Sequence, residues 1–368
     1  MKRKRFVEKL QDFRLLPVFI IVSMAAGILI GKLYGISNYE LTPPIDAIKS
    51  IFRGSYQFNL PNILALGVVI GLFLMMYPCM TNVKISHLGK ALRSFKQLAI
   101  VLFFNFAIAP FWMLILANIF LQSGSDLHTG LILYGLAPCI AMVIVFTFLA
   151  QGNTVLALAL VAINSIMQMI LIPVYAYLLL GGVNFDVLVV GESVLLYLGL
   201  PLLAGFLTRK YGVQKWGEGK FTNIQGYLHS LAIVGLLFTL IVMFALKGDL
   251  ILESPDFIVK MAIPMTIFFW SMFALVYLIS RKLGLDYEDS VACAFNSTGR
   301  DFEIAIAIAI TAFNPTVALA TVVGPLIEVP IMLVLVAFAK TTCYWFKECR
   351  LDLPHCKRFE IPATERIT

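Results

Sequence analysis

Three charges sit in the middle of an otherwise apolar segment, 290-SVACAFNSTGRDFEIAIAIAIT-311: Arg300, Asp301 and Glu303, directly after Gly299. A charge at the centre of a bilayer costs about 2.5–3.5 kcal/mol on insertion scales, so such residues face protein or a water-filled cavity. Arg300 and Glu303 are three apart and would share one helix face, where they can pair. Asp301 would point elsewhere. The polar run Asn296, Ser297 and Thr298, followed by the conformationally permissive Gly299, predicts that the helix breaks here. Glu303 is then placed to take a proton on one side of the membrane and release it on the other. The plainer alternative is a permanent buried ion pair that fixes helix packing.

A second break is expected in 134-YGLAPCIAMVIVFTFLAQGN-153, where Pro138 removes a helical donor and Cys139 follows it. A lone membrane cysteine is usually a small apolar packing residue. Beside a break, its thiol is also a soft ligand suited to soft metal and metalloid ions. Asn105, Asn164, Gln168 and Glu328 are the other polar residues inside apolar segments. Asn164 and Gln168 are four apart and share a face, either lining a site or hydrogen-bonding between helices. Glu328 lies between Pro325 and Pro330, which predicts an irregular helix there. It is a second candidate proton carrier or a partner for Arg300. Cys343, Cys349, His355 and Cys356 follow in the C-terminal tail, where three thiols could pass on a soft ion or simply stay reduced. The chain contains neither H-E-x-x-H nor G-x-x-x-x-G-K-[ST], which speaks against a membrane zinc protease and an ATP-driven pump. With no nucleophile–base pair either, no enzyme is expected.

The elements that must position these residues are membrane spans. Of the 368 residues 60% are hydrophobic and 13% charged, about half the charged share of a soluble domain. Apolar runs of about 20 residues occur at 15–34, 60–78, 98–121, 129–150, 154–180, 187–208, 228–247, 257–280, 291–312 and 315–339. Pro110, Pro138, Pro173, Pro325 and Pro330 mark kinks within them. The N-terminal MKRKR and the run that follows resemble a signal peptide in outline, but no small-x-small cleavage site is evident, so a retained first span is expected.

The net charge of +7 resides in short loops, where Lys and Arg set orientation; no nucleic-acid partner is expected. Basic residues cluster in the N-terminal arm, at Lys84, Lys90, Arg93 and Lys96, at Arg209, Lys210, Lys215 and Lys220, and at Arg281 and Lys282. Loops 122–128 and 181–186 have none, while Lys49 and Arg53 after the first span are a mild exception. Both termini are therefore expected in the cytoplasm.

Ten spans divide into five plus five, and an odd number per half inverts the second half. The likeness of 150-AQGNTVLALAL-160 to 312-AFNPTVALATV-322 gives this faint support. The expected fold is an all-α membrane protein of ten transmembrane helices, two inverted five-helix repeats with broken helices at spans 4 and 9. Its parts are a basic arm (1–14), the first repeat (15–180), the second repeat (187–339) and a cytoplasmic tail (340–368).

The segments 130-GLILYGLAPCIAMVIV-145, 299-GRDFEIAIAIAI-310 and 324-GPLIEVPIMLVLV-336 resemble signatures of the arsenite efflux permeases, a branch of the bile acid:sodium symporter superfamily. Weaker matches are 75-MMYP-78, 88-LGKALR-93, 105-NFAIAP-110 and 163-INSIMQ-168, so the likeness runs from about residue 15 to 340. The resemblance implies crossed broken helices and export of arsenite, sometimes antimonite, from the cell membrane against proton entry. It places the family's essential cysteine at Cys139 and its span 9 carboxylate at Glu303. No cofactor is implied beyond the coupling proton; the partners are a small inorganic substrate and membrane lipid.

Three departures stand out. Pro138 occupies the place of an arginine that usually precedes the family's cysteine. Phe146-Thr147 replace Trp-Asn, and Gly299-Arg300-Asp301-Phe302-Glu303 replaces Gly-Asn-Asn-Phe-Glu. If the two breaks cross, Arg300 would fill nearly the volume of the missing arginine. Equally, it could attract an anion, making the chain a sodium- or proton-coupled anion transporter with Asn296, Ser297, Thr298, Asp301 and Glu303 around the cation. A membrane sensor that kept the fold is a third possibility, disfavoured by the short tail.

Overall fold

Leu29, Ile70, Ile119, Ile170, Leu203 and Val334 are each more than half exposed, while Asn105, Asn164, Gln168, Arg300 and Asp301 are wholly buried. This is the polarity of a protein whose outer surface meets hydrocarbon, where helices satisfy their own backbone. Five helices among the described residues are long and apolar enough to cross a membrane: Phe95–Phe120, Thr154–Leu180, Val187–Gly217, Ile258–Lys282 and Gly324–Thr341. The chain is a multi-pass membrane protein. The computed structural model describes residues 16–36, 50–51, 59–81, 94–140, 142–181, 186–253, 256–313 and 315–346. The arm 1–14, Lys49, Arg53, Lys84, Lys90, Arg93, Cys349, His355 and Cys356 lie outside them.

The described residues are almost entirely helical. In chain order they form α1 (Leu16–Tyr34), α2 (Leu60–Met80), α3 (Phe95–Leu102), α4 (Ala109–Phe120), α5 (Asp126–Leu136), α6 (Met142–Leu149) and α7 (Thr154–Leu180). Then come α8 (Val187–Val194), α9 (Leu200–Glu253), α10 (Asp256–Lys282), α11 (Tyr287–Thr298), α12 (Phe302–Ala312), α13 (Pro315–Val322) and α14 (Gly324–Thr341). Helices break between α5 and α6 and between α11 and α12, at the two places the sequence marks.

Other expectations shift. Glu328 lies in a regular helix: Pro325 occupies the first turn of α14, where a missing N–H costs nothing, and the helix continues through Pro330. α7 likewise runs unbroken through Asn164, Gln168 and Pro173. The segments 187–208 and 228–247 stay separate: α9 is two helices meeting at a kink at Gly217 (φ 76°, ψ 160°), a backbone shape suited to glycine. Cys343, expected as a reduced thiol, is disulfide-bonded.

Pro110 has a local consequence. It cannot donate to Phe106 O, one helical turn back, and the preceding turn Phe103–Ile108 widens into a π-helix joining α3 to α4. The Tyr175 hydroxyl takes up the freed Phe106 carbonyl. The π-turn carries Asn105 inside the protein.

Close packing follows small residues, as is usual between membrane helices. A Cβ at Gly27 would lie 2.6 Å from Ile241 O, and one at Gly235 would lie 3.0 Å from Gly71 O, so α9 packs closely along α1 and α2. A Cβ at Gly130 would lie 2.5 Å from Ala320 Cβ, which brings α5 against α13. Asp289 ties three elements together. It accepts from Gln97 Nε2 and Asn153 Nδ2, each at 2.8 Å, linking α3 and the α6–α7 turn to the start of α11.

Candidate functional site

The two breaks cross. Pro138 and Arg300 face each other in an antiparallel bridge, with Cys139 N–H donating to Gly299 O (3.0 Å) and Asp301 N–H to Ala137 O (2.8 Å). In this pattern the facing pair exchanges no hydrogen bond with each other, so the N–H that Pro138 lacks is not needed. The Arg300 N–H points away from the bridge and donates to Glu328 Oε1 at 3.2 Å. The Tyr134 hydroxyl donates to the other oxygen, Glu328 Oε2. Glu328 thus clamps α14 to both crossing segments.

The carbonyls left open at the helix ends are claimed by side chains. Arg300 NH1 reaches Gly135 O near the end of α5 (3.4 Å), and NH2 reaches Ser297 O near the end of α11 (2.5 Å). NH2 also donates to Asn105 Oδ1 (3.1 Å), while Asn105 Nδ2 donates to Asn296 O (3.0 Å). The guanidinium lies 5.0 Å from the Phe268 ring centroid. The anticipated Arg300–Glu303 pair is therefore not made. Residues 299–301 are extended, so the helical spacing that would align the two side chains does not apply, and the guanidinium turns back toward α5 and α11.

The other expected residues divide into two groups. Cys139, Asp301, Glu303 and Glu328 converge: the buried Cys139 sulfur lies within electrostatic reach of all three carboxyls and faces the Met142 N–H at the start of α6. Asp301 Oδ1 caps α12 by accepting from Ile304 N–H (3.2 Å), and its carboxyl adjoins that of Glu303. Thr298 and Asn296 instead bond back along α11, to Ala294 O (2.7 Å) and Ala292 O (2.9 Å). Asn296 Oδ1, Ser297 Oγ and Asp301 Oδ2 have no hydrogen-bond partner among the described residues. Asn164 and Gln168 are wholly buried on α7, which packs against α5, α6 and α11, and their amide atoms have no hydrogen-bond partner among the described residues.

Tyr134 and Phe268 escaped the sequence reading because an aromatic in an apolar helix looks like core. The signal for Tyr134 is a complement elsewhere: a Cβ at Gly324 would lie 2.5 Å from its ring, and Glu328 stands one turn beyond. Tyr134→Phe removes the donor to a buried carboxyl oxygen, a loss of about 1–3 kcal/mol. A lower melting temperature and slower transport are expected; a variant equal to the parent in both would take Tyr134 out of the site.

The profile of the Sodium Bile acid symporter family matches residues 69–254. A Synechocystis sp. protein described as an uncharacterized transporter is 35% identical over 94% of each chain. The arsenical-resistance protein Acr3 of Corynebacterium glutamicum is 32% identical over 87% of this chain and 86% of its own. The chain belongs to the sodium bile acid symporter family. A second arsenical-resistance protein Acr3, from Alkaliphilus metalliredigens, is 33% identical over 90% of this chain and 94% of its own. As a member of this symporter family the chain is a membrane transporter and not an enzyme.

Proposed function

We propose that the chain exports arsenite, and by the same chemistry antimonite, across the cell membrane in exchange for protons. One observation carries this reading: the crossing of two broken helices puts a buried thiol among three buried carboxyls. The arsenical-resistance relatives support the substrate. Neutral arsenous acid reacts with the Cys139 thiol; an As–S bond replaces one As–O bond, and the thiol proton leaves with the hydroxyl as water. Water reverses the step when the site faces the other side. Glu303 carries the coupling proton, with Glu328 holding the crossing in register. The proposed frame is ten spans in two inverted repeats, 15–180 and 187–339, with both termini cytoplasmic.

The anion-transport reading has less support, because the Arg300 NH1 and NH2 donors are already engaged by protein oxygens and only Nε is unpartnered. The two are separated in everted vesicles. Arsenite accumulation that collapses when a protonophore dissipates the pH gradient is the expected result. Undiminished accumulation without a gradient would refute proton exchange, and sodium-dependent uptake of an anion without arsenite flux would favour the alternative.

A further inference from the structure

Where two helices break at mid-membrane, their C-terminal carbonyls need partners, and in transporters of this build a coupling cation commonly meets such oxygens. Here the corresponding oxygens are Gly135 O on α5 and Ser297 O on α11, joined by Asn105 Oδ1 from the π-turn. Three neutral oxygens, with the Glu328 carboxylate on the Arg300 backbone N–H, form the kind of donor set that hard cations take. All three are occupied by one guanidinium, wholly buried against Phe268. It also offsets the partial negative charge at two helix C-termini.

We propose that Arg300 is a tethered cation standing where a coupling cation would otherwise bind, so that this transporter has no use for sodium. A guanidinium stays charged throughout the cycle and cannot dissociate. A free cation entering the same place would have to displace a covalently attached competitor. Asn105, set inward by the π-turn, is the positioning residue for the guanidinium. The inference rests on the crossing being the transport site, but its test involves no substrate, so it can fail while arsenite export stands, and the reverse.

The test is the melting temperature of the purified full chain in sodium chloride, against choline chloride of equal ionic strength. The parent is expected to be indifferent to sodium. Arg300→Ala, which leaves three oxygens facing a cavity, is expected to melt lower and to recover by roughly 2–4 °C, saturably, with sodium or with low guanidinium chloride. Adding Asn105→Ala should abolish that recovery, because one donor is gone. Arg300→Lys keeps a fixed charge and is expected to ignore sodium; it carries the test if Arg300→Ala yields no folded protein. A saturable sodium response in the parent or in Arg300→Lys overturns the proposal, as does an Arg300→Ala protein that responds to neither cation.

Discussion

Cys139→Ser is expected to lose arsenite export almost completely while remaining folded. A serine oxygen offers arsenic nothing that water does not, so the exchange of an oxygen for sulfur has no driving force left. The site would then bind arsenite weaker by on the order of 100-fold, each factor of ten being about 1.4 kcal/mol. Folding is spared because the hydroxyl is close in size to the thiol and can accept the Met142 N–H that now faces sulfur. The measurement is arsenite efflux from sensitive cells, together with the melting temperature of the purified variant. Export at the parent's rate would end the thiol mechanism. A variant that fails in export and also melts much lower would point to packing instead.

The second large effect is expected at Gly299. Its backbone (φ −63°, ψ 142°) is open to any residue, so glycine is there for space and not for an unusual conformation. A Cβ would stand 2.8 Å from Val143 Cγ2, 3.0 Å from Cys139 Cβ and 3.5 Å from Glu328 Oε1. Gly299→Ala therefore pushes apart the two segments whose bridge defines the site. Overpacking of this kind costs about 1–3 kcal/mol, and displacement of Cys139 from the carboxyls adds a loss of transport beyond that of stability. Melting temperature and arsenite flux should both fall, flux more steeply. If alanine is accommodated with full activity, the close approach of the two breaks plays no part in transport.

Much of this was open to reading in the sequence, for a physical reason. Hydrocarbon penalises every exposed polar group, so a polar residue in an apolar run signals a buried site without knowledge of the fold. That penalty marked Arg300, Asp301, Glu303, Glu328, Asn164 and Gln168, and the break at Pro138 marked Cys139, all of them buried in the structure. Pro138 and Gly299 marked the two breaks, whereas Pro173 and Pro330 lie inside continuous helices.

Direction was hidden. Helical spacing pairs Arg300 with Glu303, but an extended backbone at 299–301 sends the guanidinium to Gly135, Ser297 and Asn105. Glu328 meets the Arg300 backbone N–H, a group that no side-chain pattern announces. The π-turn beside Pro110 and the glycine that admits the Tyr134 ring belong to the same class.

Burial of these residues was legible from the chain alone, because hydrocarbon penalises a polar atom near the bilayer centre whatever fold surrounds it. Which of them meet is set by the fold. Hydrogen bonds and close contacts depend on ångström-scale placement of segments 162 residues apart, and the antiparallel crossing of Pro138 and Arg300 sets that placement.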